Sequence, residues 1–289
     1  MLRIIILCLA VLAINSTRAQ RHLETVRSPA GSEQQNTAYN GKILIGVQGE
    51  SFLLSYDDVS FTSHAFPIVG GSQLRFYNNN NPLTVFQSAV FLRLTTSTGT
   101  ASYLYRFNGT SFSRIIIPGN MIANCVVYGT YLYFLSNVSG TIKLYRYNGS
   151  VSEVPASLPN AGGHKLHVAG GYLYITGYAI SGSTANFIRR YNGSGFLTLP
   201  YSGPGTNVSG IYHVPGTVRA YFTSHERILY YDGSTVRQVF YNVGEPVFAR
   251  MWRNKLYFTT GVGSAPGRTT HLYRLNGTAL TAVTMPGAV

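Results

Sequence analysis

One short pattern recurs along the whole chain: an aromatic or aliphatic residue, then Asn or Asp, then Gly. It stands at Phe107-Asn108-Gly109, Tyr147-Asn148-Gly149, Tyr191-Asn192-Gly193, Tyr231-Asp232-Gly233 and Leu275-Asn276-Gly277, with the Asn or Asp positions 40, 44, 40 and 44 residues apart. A degenerate earlier copy is Tyr56-Asp57-Asp58. Repeats of 20 to 50 residues mark solenoids, propellers or arrays. The copy from His164 to Pro200 resolves into four β-rich runs: Lys165-Leu166-His167-Val168, Tyr172-Leu173-Tyr174-Ile175, Phe187-Ile188-Arg189-Arg190-Tyr191 and Phe196-Leu197-Thr198-Leu199. Gly170-Gly171 joins the first two and Asn192-Gly193 the last two, where a type I′ hairpin turn is expected because both its central residues need positive φ.

Four strands in a period of 40 to 45 residues is the arithmetic of a propeller blade. Six copies fit, beginning near Asn36, Leu83, Ile122, Lys165, Ile211 and Val247. The expected fold is therefore all-β, a six-bladed β-propeller of four-stranded antiparallel blades over residues 36–289. Blade sheets are covered on both faces, which favours bulky β-formers and tolerates few charges. The composition agrees: 22 Tyr and 15 Phe, with only 11% charged residues. On this reading the aromatic residues are core.

The order of features resembles that of kelch-repeat propellers, best over residues 166–200, where Gly170-Gly171, Tyr191 and Leu199-Pro200 fall in the kelch order. The other blades match loosely. The diglycine is missing from most of them, and the one tryptophan, Trp252, falls at the end of a first strand. Galactose oxidase carries a propeller of this kind with a copper site, but no residues here support carrying that activity over.

Residues 1–19 combine Arg3, an apolar run from Ile4 to Ile14 and a polar stretch ending at Ala19, which reads as a secretory signal peptide. The run is shorter than the roughly 20 residues that span a bilayer. No membrane span is expected, and the mature protein is expected to be secreted or held at the cell surface. Residues 20–35 are polar and read as an N-terminal arm. Cys125 is then the only cysteine outside the leader, in an apolar strand where a thiol behaves as a small hydrophobe.

Nine Asp and Glu spread over 289 residues leave little material for a glycosidase pair or a calcium cage. No Gly-x-Ser-x-Gly elbow or phosphate-binding glycine loop occurs. No catalytic residue, metal site or cofactor is assigned, and a binding protein is favoured over an enzyme. Two sets of residues stand out. Arg106, Arg146, Arg190 and Arg274 occupy the same place in four blades, just before the residue that precedes Asn-Gly. They either lie along tyrosine rings or form a repeated basic ring that attracts an anionic polysaccharide. In the first strands, Thr84, His167, His213 and Arg250 share the parity opposite to the apolar one and are candidates to line a central channel, or else to bond between blades.

The net charge of +13 points to an acidic glycan or an extracellular or surface protein. Nucleic acid is not expected, because the basic residues are dispersed and the chain is exported. The alternatives are a structural or adhesive subunit that self-associates through strand edges and the arm, and an enzyme using the channel histidines. Sequons outside the leader stand at Asn108, Asn137, Asn148, Asn192, Asn207 and Asn276. Four of them coincide with the repeated turn, where Asp232 substitutes at a fifth, so the turn repeats rather than the glycan acceptor.

Overall fold

A computed structural model describes residues 34–76, 83–156, 158–159, 162–178, 187–201, 208–224, 227–241, 246–262 and 269–283. The expected leader, nearly all of the arm and the sequon at Asn207 lie outside them. Every element of regular structure among the described residues is a β-strand. No helix there is long and apolar enough to cross a membrane.

The strands form six antiparallel sheets in chain order. The chain divides into two compact units, residues 1–117 with the first two sheets and 118–289 with the other four. In the first sheet Gln34–Tyr39, Lys42–Val47, Phe52–Tyr56 and Phe61–Ala65 pair in sequence order. The fourth repeats this with Gly162–Ala169, Tyr172–Tyr178, Phe187–Tyr191 and Phe196–Leu199. The fifth has Gly210–His213, Ala220–Thr223, Arg227–Tyr231 and Val236–Tyr241, and the sixth Pro246–Trp252, Lys255–Val262, Thr269–Asn276 and Ala279–Val283.

The second and third sheets depart from the simple blade. In the second, Ser72–Phe76 and Thr84–Phe86 both pair with Ala89–Thr96, through Leu74↔Thr96 and Thr84↔Phe91, and Ile68–Val69 adds a further strand. In the third, Asn120–Met121 and Val126–Tyr128 both pair with Tyr131–Val138. In each, two short pieces thus pair with one strand, where the other four sheets have a single first strand.

Within the second unit, alternation along the strands sends side chains to both faces of each sheet. One face of the fourth sheet, with Leu166, Leu173, Ile175, Phe187 and Tyr191, packs on Tyr133, Leu135 and Leu144 of the third. The other, with Tyr174, Ile188 and Leu199, packs on Phe222, Leu229 and Tyr231 of the fifth. Each such fully buried side chain contributes about 1.5–3 kcal/mol. This two-sided burial accounts for the shortage of charge in the strands.

The turns correct the expectation of type I′ geometry at Asn-Gly. Asn108, Asn192 and Asp232 do not have positive φ, whereas Gly109, Gly193 and Gly233 do. These three motifs open four-residue loops, closed by Phe107↔Phe112, Tyr191↔Phe196 and Tyr231↔Val236, whereas Tyr147↔Val151 closes three residues and Asn276↔Ala279 two. The side-chain oxygen of each four-residue loop's first residue is the hub. Asn192 Oδ1 accepts from the Ser194 amide at 3.0 Å, the Gly195 amide at 2.9 Å and the Ser194 hydroxyl at 3.0 Å. Asn108 and Asp232 accept in the same way from Thr110 and Ser111 and from Ser234 and Thr235. The degenerate copy is a true copy, since Asp57 accepts from the Ser60 amide at 2.8 Å while Asp58 takes the glycine place at φ 71°. The loop needs an acceptor oxygen, which Asn and Asp both supply.

Tight hairpins that need positive φ are found mostly between the first and second strands instead. Asn40-Gly41, Gln87-Ser88, Gly170-Gly171 and Arg253-Asn254 have both central residues in the left-handed region, as do Gly70-Gly71 and, between the second and third strands of the third sheet, Ser139-Gly140. The diglycine of the fourth sheet is one of several sequences that make this turn. We predict that Asn192→Ala lowers the unfolding free energy by about 1 kcal/mol and Asn192→Asp does not, as chemical denaturation at neutral pH will measure.

Candidate functional site

Antiparallel pairing places the first hairpin and the Asn/Asp-Gly turn of each sheet at the same end. In the second unit these turn edges adjoin. The Tyr128 hydroxyl, beside the first hairpin of the third sheet, donates to the Gly171 carbonyl of the fourth at 3.1 Å. The Tyr221 hydroxyl of the fifth donates to the Gly277 carbonyl of the sixth at 3.2 Å.

The four repeated arginines lie at this end of their sheets, each half-buried. Each stands directly across from an aromatic residue of the second strand: Arg106 from Phe91, Arg146 from Tyr133, Arg190 from Tyr174 and Arg274 from Tyr257. Two guanidinium groups lie over tyrosine rings. Arg146 sits 4.6 Å from the centroid of Tyr131, and Arg190 4.3 Å from Tyr172 and 5.6 Å from Tyr231 on the next sheet. Such contacts contribute roughly 0.5–2 kcal/mol according to burial. The sequence hid this pairing because the loop between the second and third strands varies in length.

Of the other four candidates, Thr84 is half-buried across from Phe91, and Arg250 is exposed across from Tyr257. His167 and His213 both face the seam between the fourth and fifth sheets. Strand alternation sends His167 to the face shared with Tyr174 and Arg190, its register partners across the sheet. His213, from the fifth sheet, faces back and lies 6.1 Å from the ring of Tyr172. It fits beneath Gly170, where a Cβ would overlap the imidazole, whereas a Cβ at Gly171 would meet nothing. The diglycine here serves the seam as well as the turn.

His167 Nε2, Tyr174 Oη, Arg190 Nη1 and His213 Nε2 are all buried without a hydrogen-bond partner among the described residues. Burial, helped by the Lys165 charge, lowers His167 to about 4. Burial and the Arg190 charge lower His213, so both imidazoles are neutral at physiological pH. Burial pushes the Tyr174 phenol up to about 12 against the downward pull of Arg190. No carboxylate side chain occurs between Glu153 and Glu226. The seam holds the Arg190 cation facing tyrosine rings, Lys165 on the strand face of His167, and two neutral imidazoles. Among the described residues no group of three or more His, Cys, Asp or Glu is placed to hold a metal ion. Cys125 is buried.

The sequon residues Asn108, Asn148, Asn192 and Asn276 are exposed at the turns. Asn137 is half-buried in the opposite hairpin of the third sheet, where its Oδ1 accepts from the Gly140 amide at 2.8 Å.

Glycine at 170 and histidine at 167 make separate predictions. Gly171→Ala pays only the left-handed backbone penalty of about 1 kcal/mol, while Gly170→Ala loses about 3 kcal/mol or more because the ring must also move. Adding His213→Ala to Gly170→Ala recovers part of that loss in the same unfolding assay. Protonation of His167 is resisted in the fold until about pH 4 but occurs near 6.5 in the unfolded chain. Stability is therefore full above pH 6.5 and falls by up to about 3 kcal/mol as the pH drops towards 4. His167→Asn flattens this dependence in urea titrations at pH 7.5 and 4.5.

No protein-family model matches the chain, and no curated protein does. Solved structures do. Virginiamycin B lyase from Staphylococcus aureus is similar at a TM-score of 0.58 and 12% identity, over 91% of this chain and 87% of that one. The dihydro-heme d1 dehydrogenase NirN, in complex with DHE, reaches 0.57 at 13% identity, over 88% and 57%. Apo AztD from Citrobacter koseri reaches 0.54 at 13%, over 87% and 71%. Together with the six antiparallel sheets, these likenesses give the fold as a β-propeller. Their named functions differ from one another, and identities this low carry the fold alone.

Proposed function

We propose that this chain is an exported β-propeller that binds an anionic glycan through the turn edges of its sheets and catalyses no reaction. The observation that supports the reading is the charge at those edges. Arg146, Arg190 and Arg274 stand there with Arg219, Arg253 and Lys255 from the first hairpins of the fifth and sixth sheets. Opposing carboxylates are scarce in this part of the chain, none occurring between Glu153 and Glu226 or after Glu245. Asp232, in the turn of the fifth sheet, is engaged by its own loop. The amides and hydroxyls of Thr235 and Ser234 hold its carboxyl well below the usual range, and Arg237 lies 3.7 Å away.

A guanidinium resting on a tyrosine ring remains charged and is held in one orientation, which suits it to a polymer with repeated carboxylate or sulfate groups. Tyrosine beside it offers an apolar face to a sugar ring. The reading predicts that the protein binds a heparin matrix and that replacing Arg106, Arg146, Arg190 and Arg274 with Gln abolishes retention at about 0.15 M salt, where surface charges are screened beyond about 8 Å. The corresponding set of Arg→Lys replacements retains most of it. Unchanged retention in the Gln variant, with the fold intact by circular dichroism, would overturn the reading.

A further inference from the structure

The sixth sheet carries a group of side chains that the repeated arginines do not explain. Trp252, the one tryptophan of the chain, ends the first strand with 56% of its surface exposed. Single exposed apolar residues are ordinary on protein surfaces, but the neighbours of this one are not. The Arg253 guanidinium lies 4.5 Å from the indole centroid. Tyr257 stands edge to face at 5.6 Å and 66°. Lys255 is directly across from Trp252, and Arg250, two residues earlier on the same strand face, is exposed across from Tyr257. Arg274 is next to Tyr257 on the third strand.

The chain maintains this arrangement at some cost. Arg253 sits in the left-handed region at φ 46° and Asn254 at φ 61°. A glycine would take the first of these freely, whereas an L-residue with a long side chain takes it at roughly 1–2 kcal/mol. The tight hairpin sets this conformation, as at Gln87-Ser88, and the Arg253 that occupies it lies over the indole. No Asp or Glu follows Glu245, so residues 246–289 hold five basic side chains and no acid. Arg253 over the indole, Lys255 across from it in register and Arg250 two residues before it have no carboxylate from their own sheet to pair with.

We propose that Trp252 is a stacking subsite for one acidic sugar unit, with the apolar face of the sugar on the indole and its carboxylate or sulfate taken by Arg253, Lys255 and Arg250. The proposal rests on the anionic-glycan reading above and assigns it a position and a contact that involves the sugar ring as well as its charge. An aromatic platform alone would take neutral sugars, and a cation cluster alone would take any small anion. The combination selects sugars that bear charge.

Because Trp252 is the only indole, its fluorescence reports this subsite without labelling. The full chain is titrated with a heparin tetrasaccharide, a neutral dextran oligosaccharide and inorganic sulfate at matched ionic strength, and retention on heparin matrix is measured alongside. The expected result is a saturable change in emission with the heparin tetrasaccharide alone. Trp252→Ala is expected to weaken that binding about tenfold, measured by calorimetry, and Trp252→Phe to weaken it less. Arg253→Ser provides a second variant at an exposed position, with a similar loss expected. An equal response to sulfate would show charge capture without stacking and overturn the proposal. If the matrix retains the protein while the emission and the affinity of Trp252→Ala are unchanged, the subsite is wrong and the glycan reading stands. If the matrix does not retain the protein, both fail.

Discussion

Burial of both faces of the sheets is the constraint on which the rest of the second unit depends. A strand whose alternate side chains meet a neighbouring sheet on either side has no solvent face on which to place charge. The fourth sheet shows this fully, with Leu166, Leu173 and Ile175 against one neighbour and Tyr174, Ile188 and Leu199 against the other. Polar chemistry is displaced to the strand ends, where hairpins must in any case be polar. The arginines sit at that boundary, with stems among tyrosines and heads near the turns.

The seam between the fourth and fifth sheets is one place where this separation is incomplete. His167, Tyr174, Arg190 and His213 bring polar atoms into a region otherwise filled with aromatic rings. Buried polar groups without partners cost stability. The Arg190 charge is moderated by the π faces of Tyr172 and Tyr231, and both imidazoles respond by staying neutral. Gly170 closes the top of this cluster.

The sheets were legible in the sequence because their marker is local. An oxygen acceptor and a glycine follow the last residue of the third strand directly, and even the degraded copy at Asp57-Asp58 builds the same loop. The type of turn was not legible, since Asn-Gly suggests a two-residue hairpin and the four-residue loop depends on bonds that the Asn side chain makes further on. The split first strand of the second sheet was hidden too. Ser72–Phe76 finds its partner at Leu94–Thr96 beyond an intervening segment, and pattern alone does not announce such pairing. The arginines were visible as a repeat, but their partners, Tyr172 for Arg190 and Tyr131 for Arg146, lie on a neighbouring strand across a loop of variable length. His167 and His213 share a parity in the sequence alignment, but the register puts them on opposite faces of their sheets: His167 is paired with Tyr174, on the face towards the fifth sheet, and His213 with Ala220, on the face towards the fourth.

The loop's indifference to amide or carboxylate separates the charge of the turn edge from its architecture. Asn192 and Asp232 are held by equivalent bonds, so exchanging one for the other leaves the hairpin in place and changes the edge by a full unit of charge. It also creates or removes a glycan acceptor. Surface potential and sugar coating can therefore drift in a chain of this kind, one turn at a time, while the sheets beneath continue to select the same aromatic and aliphatic residues.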